Sequence, residues 1–164
     1  MQLPLNCFPP VVNADVRLLV LGSLPGVVSL AQQAYYAHPR NAFWPIMAAL
    51  TGQSLVTMPY PERLQALLAA GVGLWDVVGQ AERRGSLDAD LRAIAPNALP
   101  ELLAELPQLQ AVAFNGQTAY KLGHRQLPAA LQHYALPSTS PALTTRFEQK
   151  LQLWSAIAGH LIRG

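Results

Sequence analysis

Arg17-Leu18-Leu19-Val20-Leu21-Gly22-Ser23-Leu24-Pro25-Gly26 is the stretch on which the architecture turns. Leu18 to Leu21 is an unbroken apolar run that stops at glycine. A strand with one wet face would alternate polar and apolar residues, so an unbroken short run reads as a strand buried on both faces. Three further short, mainly apolar runs, each bounded by Gly, Pro or Asn, also read as buried strands: Val72 to Val78, Leu109 to Asn115 and His133 to Pro137. Helical patterns lie between and after them. Pro61 to Ala70 has Pro and Glu in its first turn and Gly71 as its stop, Pro100 to Leu106 is a shorter segment of the same kind, and Arg146 to Ile162 carries Phe147, Leu151, Trp154, Ile157, Ala158 and Leu161 at helical spacing. Alternating strands and helices imply an α/β fold, a three-layer α/β/α arrangement around a mostly parallel sheet of about four strands. In such sheets sites form outside the carboxyl ends of the strands, so the turns after Leu21, Val78, Phe114 and Leu136 are where chemistry is expected.

The chain has 164 residues, which fits a single domain over residues 1–164. Apolar residues make up 51% and charged residues 12%, the reverse of a disordered composition. No apolar run is long enough to cross a bilayer, and Met1 to Val12 has no basic leader, so a cytoplasmic protein with no membrane partner is expected. The lone Cys7 excludes an internal disulfide framework and a thiolate-held cluster, and the four histidines fall in separate segments. Neither a metal nor a cofactor is expected. The net charge of +2 is weak, but it is uneven: residues 1–82 carry three basic groups against four acids, residues 83–164 eight against five.

The first strand-end turn leads into Tyr35-Tyr36-Ala37-His38-Pro39-Arg40-Asn41-Ala42-Phe43-Trp44, which concentrates stacking and hydrogen-bonding groups in ten residues. Phe43, Trp44 and one tyrosine could instead be core, with His38 and Asn41 capping a helix over Ala42 to Leu50. The Gly22 turn is neither a Walker loop nor a G-x-S-x-G elbow, so nucleotide hydrolysis and a serine triad are set aside. Asn115, after the third strand, can offer a donor and an acceptor to a planar ligand, or simply cap the next helix. Ser138-Thr139-Ser140 between two prolines forms a stiff loop suited to backbone phosphates. Arg83-Arg84-Gly85-Ser86-Leu87-Asp88 could contact phosphate or close an internal salt bridge.

Taken in order, G-S-L-P-G at 22–26, Y-Y-A-H-P-R-N-A-F-W at 35–44, R-R-G-S-L-D at 83–88, F-N-G at 114–116 and L-P-S-T-S-P-A at 136–142 resemble the uracil-DNA glycosylase superfamily, and within it the hypoxanthine-DNA glycosylase branch. The A-H-P-x-N-x-F-W string also resembles the mismatch-specific thymine and uracil glycosylases. The resemblance implies a monofunctional DNA glycosylase of base excision repair, a hydrolase of N-glycosyl bonds acting as a monomer on DNA that carries a deaminated base, most readily hypoxanthine. The alternatives are a uracil or mismatch glycosylase and an inactive lesion-binding module. Most of the superfamily places a water-directing Asp or Asn two residues after the first glycine, where this chain has Leu24. In the hypoxanthine branch that task passes to the asparagine of the tyrosine-rich string, here Asn41, which is therefore the catalytic candidate.

By the same resemblance Tyr36 stacks on the extruded base and Asn115 reads its edge, with Gly22, Ser23, Leu24, His38 and Phe43 completing the base site. Arg40, Ser138, Thr139, Ser140, Pro141 and Ala142 contact the DNA, the last five pressing into the minor groove. Where relatives continue S-P-A-N this chain has Leu143, read as core at the start of the last helix in preference to a wedge between bases. The motifs contain no carboxylate pair of the kind that stabilises an oxocarbenium-like sugar, and no lysine for a Schiff base. Rate would then come from water placed by Asn41 and from hydrogen bonds to the leaving base, given by Asn115 and by backbone N–H groups near Gly22 and Ser23.

Overall fold

A computed structural model describes residues 4–162; the first three residues of the Met1–Val12 segment lie outside it. The four apolar runs form one parallel sheet. Its strands are β2 (Leu18–Gly22), β3 (Val72–Asp76), β6 (Ala111–Asn115) and β7 (Gln132–Leu136), in the order β3-β2-β6-β7. Side chains of successive strand residues point to opposite faces, and the core divides accordingly. Leu18 and Val20 of β2 belong to one apolar cluster, with Val72, Leu74, Ala111 and Ala113. Leu19 and Leu21 belong to the other, with Val112 and Phe114. A short helix, α1 (Val27–Gln32), follows the Gly22 turn, and the later helices cover both faces. The first cluster takes in Phe43, Trp44, Ile46 and Met47 of α2 (Phe43–Thr51), Leu67 of α3 (Tyr60–Ala69) and Trp154 of α6 (Phe147–Trp154). The second takes in Leu99 and Leu102 of α4 (Leu99–Leu103) and Ala119 of α5 (Gln117–Gly123). The three-layer arrangement is the expected one.

A second, antiparallel sheet was not expected. It joins β1 (Leu5–Asn6), β4 (Val78–Glu82) and β5 (Arg92–Pro96) in the order β1-β4-β5. The apolar run Val72–Val78 is thus not one strand. It bends at Val77 and passes from one sheet to the other, and Asn97 pins the bend by donating its side-chain N–H to the Asp76 carbonyl (2.7 Å) and its backbone N–H to that of Val77 (2.8 Å). A third small cluster, Leu24, Val78, Ala81 and Leu91, sits beneath this sheet. β5 is exposed along its whole length, so it carries little apolar pattern to read.

The last helix also differs from expectation. It is α-helical only through Trp154 and continues as a 3-10 turn over Ser155–His160. Its buried face runs through Lys150, Trp154, Ile157 and Leu161, while Phe147 is 40% exposed. A charged residue occupies the inward position, which hydropathy alone assigns to a neighbour.

Register brings the functional ends together. Gly22 lies opposite Asp76, Leu21 opposite Phe114 and Asn115 opposite Leu136, so β2, β3, β6 and β7 end along one edge of the sheet.

Candidate active site

Along that edge opens a cavity of about 640 Å³, within the usual range for a small-molecule site. Every strand-end motif contributes to it. Gly22, Ser23 and Leu24 line it from the first turn, Tyr36, His38 and Asn41 from the tyrosine-rich string, and Asn115 from the end of β6. Ser138, Thr139, Ser140, Pro141 and Ala142 also line it, as do Asp76 and Asp88.

Asn41 has two attachments. Its backbone N–H donates to the His38 carbonyl (2.9 Å), and its side-chain Oδ1 accepts the backbone N–H of Phe43 (2.9 Å) in the first turn of α2. His38 Nδ1 in turn accepts the Arg40 backbone N–H (3.0 Å). Capping and cavity lining are therefore compatible: one lone pair of Asn41 holds the helix, and its NH2 group is left to give to a ligand or water. Leu24 lines the same cavity with a side chain that can do neither.

Asn115 is 8% exposed and forms a reciprocal pair with Thr139, donating from Nδ2 to Thr139 Oγ1 and accepting the Thr139 N–H on Oδ1, both at 2.9 Å. Each polar atom of the amide keeps one unused valence, so the clamp fixes the orientation of an edge that still has a donor and an acceptor. Gly116 follows at φ +103°, and a Cβ there would sit 3.3 Å from that of Ser138, so the loop passes close only because the residue is glycine. The same loop is tied elsewhere. The Ala42 N–H donates to the Thr139 carbonyl, Trp154 Nε1 to that of Pro137, and Lys150 Nζ to those of Ser140 (3.0 Å) and Leu143 (2.8 Å).

Burial pushes the Lys150 ammonium below the usual lysine range, and its charge is met by carbonyl dipoles. Replacing Lys150 with methionine keeps the stem and removes both bonds. A loss of about 1–3 kcal/mol in chemical unfolding is expected, together with weaker DNA binding, and equal stability and affinity in wild type and variant would show the tether to be idle.

Two sequence expectations are corrected. Phe43 is fully buried and does not line the cavity; it stands behind Tyr36, stacked on that ring at 4.1 Å, and so supports that wall of the cavity. Leu143 is not core: it is 38% exposed, lines the cavity and precedes α6 by several residues, held by its carbonyl to Lys150. Arg40 is exposed and does not line the cavity. Arg83 is internal, 2% exposed, donating to the carbonyls of Gly85 (2.7 Å) and Pro25 (2.6 Å), so it braces the Gly22 turn against the 83–88 loop and leaves phosphate to other groups.

The site carboxylate missed in the sequence is Asp76; Asp88 belongs to the 83–88 motif already singled out. Asp76 ends β3 at 3% exposure, and its Oδ2 is buried with no hydrogen-bond partner. Gly22 makes room for it, since a Cβ on Gly22 would lie 2.7 Å from Asp76 Oδ1. Burial first, then the charge of Asp88, pushes the Asp76 carboxyl up to about 8, with Arg83 opposing. Asp88 accepts from Ser23 Oγ at 2.6 Å; burial raises its pKa too, against that bond and Arg83. The hydroxyl of Tyr36 is buried beside them without a partner, its pKa raised by burial and by Asp76, while the nearby Asn115 amide works in the opposite direction. Tyr36 itself sits at φ +56°, a strained conformation for a side chain of its size. The signal in the sequence was a single charge, Asp76, inside an otherwise apolar run, at the end where sites form. Among the described residues no group of three or more His, Cys, Asp or Glu could hold a metal ion, and no helix is long and apolar enough to cross a membrane.

Residues 9–159 match the model of the uracil DNA glycosylase superfamily. A hypoxanthine DNA glycosylase of Methanosarcina barkeri is 39% identical over 110 residues, 67% of this chain and 70% of the relative. A hypoxanthine DNA glycosylase of Methanosarcina acetivorans is 31% identical over 153 residues, 93% of this chain and 97% of the relative. The solution structure of a candidate uracil DNA glycosylase from Methanosarcina acetivorans superposes with a TM-score of 0.87 at 30% identity, covering 96% of this chain and 98% of that one. Family match, relatives and fold agree with the cavity at the strand ends: the chain belongs to the uracil DNA glycosylase superfamily and is a DNA glycosylase, a hydrolase of N-glycosyl bonds.

Proposed function

We propose that the protein excises hypoxanthine from DNA as a monofunctional glycosylase, with Asn41 as the catalytic residue. The observation that carries this reading is the contents of one cavity. It holds Asn41, an oriented Asn115 amide and Leu24 in the place where a polar water-directing group would otherwise stand.

A base inside a duplex is out of reach, so the nucleotide must be extruded, at a cost of a few kcal/mol that is smaller for a mispaired base. Tyr36, backed by Phe43, offers the extruded base a stacking surface, worth about 1–3 kcal/mol. Ser138 to Ala142, in a loop tethered at Pro137, Thr139, Ser140 and Leu143, form a stiff wall beside the cavity for the minor groove. Leu143, exposed at its end, is placed to fill the gap left in the stack. Arg40 stands outside the cavity, where it can meet phosphate. The NH2 of Asn41 holds the attacking water, and the free valences of Asn115 hold the edge of the base. No lysine lines the cavity, so the product is an abasic site in an uncut strand.

Base release from duplexes carrying a single hypoxanthine or a single uracil, with alkali to reveal abasic sites, tests the substrate. Hypoxanthine is expected to be released at least tenfold faster. Preferential release of uracil would assign the protein to another branch of the superfamily.

A further inference from the structure

We propose that the Asp76 carboxyl is the acid that delivers a proton to the departing base. The proposal rests on the glycosylase reading above and adds a second catalytic residue to Asn41.

Asp76 is the last residue of β3, and Gly22 opposite it has no side chain to keep it from the cavity. It lines the cavity that receives the base, and 97% of its surface is withdrawn from solvent. Its Oδ2 has no hydrogen-bond partner, an arrangement that a folded protein rarely keeps without a use for it. An ionised carboxylate so placed would repel the negative charge that develops on the leaving base; a protonated one has a hydrogen to give. The groups facing it favour the protonated form. Burial withdraws water from it and Asp88 brings a like charge, against one cation, Arg83, whose Nε and Nη2 donate to carbonyls; Tyr35, Tyr36 and Cys7 face it as neutral groups, their own pKa values raised by burial. With its pKa near 8, Asp76 holds its proton at neutral pH.

The bond between C1′ and the base nitrogen breaks, and its electron pair stays with the base. The Asp76 proton passes to an acceptor atom of the base, which departs neutral. Water adds through oxygen to C1′, and the proton it loses returns through solvent to the Asp76 carboxylate. Asn41 positions that water, and the two residues divide the work between the sugar and the leaving group.

Single-turnover base release from the hypoxanthine duplex, measured from pH 6 to 9.5 for the wild type and Asp76→Asn, tests it. Asparagine keeps the shape and loses the transferable proton. The variant is expected to be about 10²- to 10³-fold slower at pH 6–7. The ratio of wild-type to variant rates is expected to fall about tenfold per pH unit above pH 8. Taking the ratio cancels titration of the DNA itself. A ratio near one at all pH values, or one that rises through pH 8, overturns the proposal; the rise would mark Asp76 as a base for the water. Release of neither hypoxanthine nor uracil by the wild type would instead defeat the substrate reading. Should the variant fail to fold, infrared difference spectra of the wild type decide: a protonated-carboxyl band that vanishes as pH passes 8 supports the proposal, and its absence at pH 6 overturns it.

Discussion

Asn41→Ala is expected to slow the release of hypoxanthine by about 10²-fold or more, because a water displaced by an ångström from its line of attack loses that much rate. The variant also loses the acceptor for the Phe43 N–H at the start of α2, which costs about 1 kcal/mol of stability. The two effects separate. Asn41→Ser keeps a side-chain oxygen short enough to cap the helix but has no amide to reach into the cavity, so its unfolding midpoint should approach the wild type while its rate stays with that of the alanine variant. Single-turnover kinetics alongside chemical unfolding give both numbers. A serine variant with wild-type rate would reduce Asn41 to a cap, leaving the placing of the water to another group in the cavity.

The parallel sheet was legible because burial on both faces leaves short apolar runs in β2, β3 and β6, while the half-exposed edge strand β7 showed itself by Tyr134, Leu136 and the proline that follows. The antiparallel sheet was not, because β5 is exposed throughout and β4 follows β3 after a bend at one valine, with no turn residue to mark it. The site divides in the same way. Gly22, Tyr36, Asn41, Asn115 and Ser138 to Ala142 announce themselves as clusters of unusual local composition, and the cavity brings them together. Asp76 was hidden as a single charge within an apolar run, and Lys150 as one of several polar residues on a helix whose exposed face they were expected to form. Their burial depends on partners far away in sequence: Gly22 for the aspartate, and the carbonyls of Ser140 and Leu143 for the lysine. Phe43 and Leu143 left their expected places for separate reasons: Lys150 ties the Leu143 carbonyl in the segment before α6, and α2 packs its first residue under Tyr36.

Asp76 makes the fold weaker as pH rises, and its replacement should reveal by how much. Its pKa is raised from 3.8 to about 8, so the folded state binds the proton more tightly than the unfolded chain. Between those two values the folded state carries the extra proton, and stability falls with increasing pH by up to about 1.4 kcal/mol per unit. Below pH 4 the carboxyl is protonated in both states and the penalty vanishes; above pH 8 it is present in full. Asparagine cannot ionise, so Asp76→Asn should match the wild type near pH 4 and exceed it by several kcal/mol at pH 8, as read from denaturant unfolding at a series of pH values. Asp88 is also shifted upward by burial, but it is common to both proteins and largely cancels in the difference. Parallel stability curves would mean that Asp76 is as well solvated in the folded protein as in the unfolded chain. A divergence on the acid side would give it the opposite sign, that of an ion pair with Arg83. The expected outcome joins a gain in stability to a loss of rate in one substitution, the mark of a residue kept for chemistry at the expense of the fold.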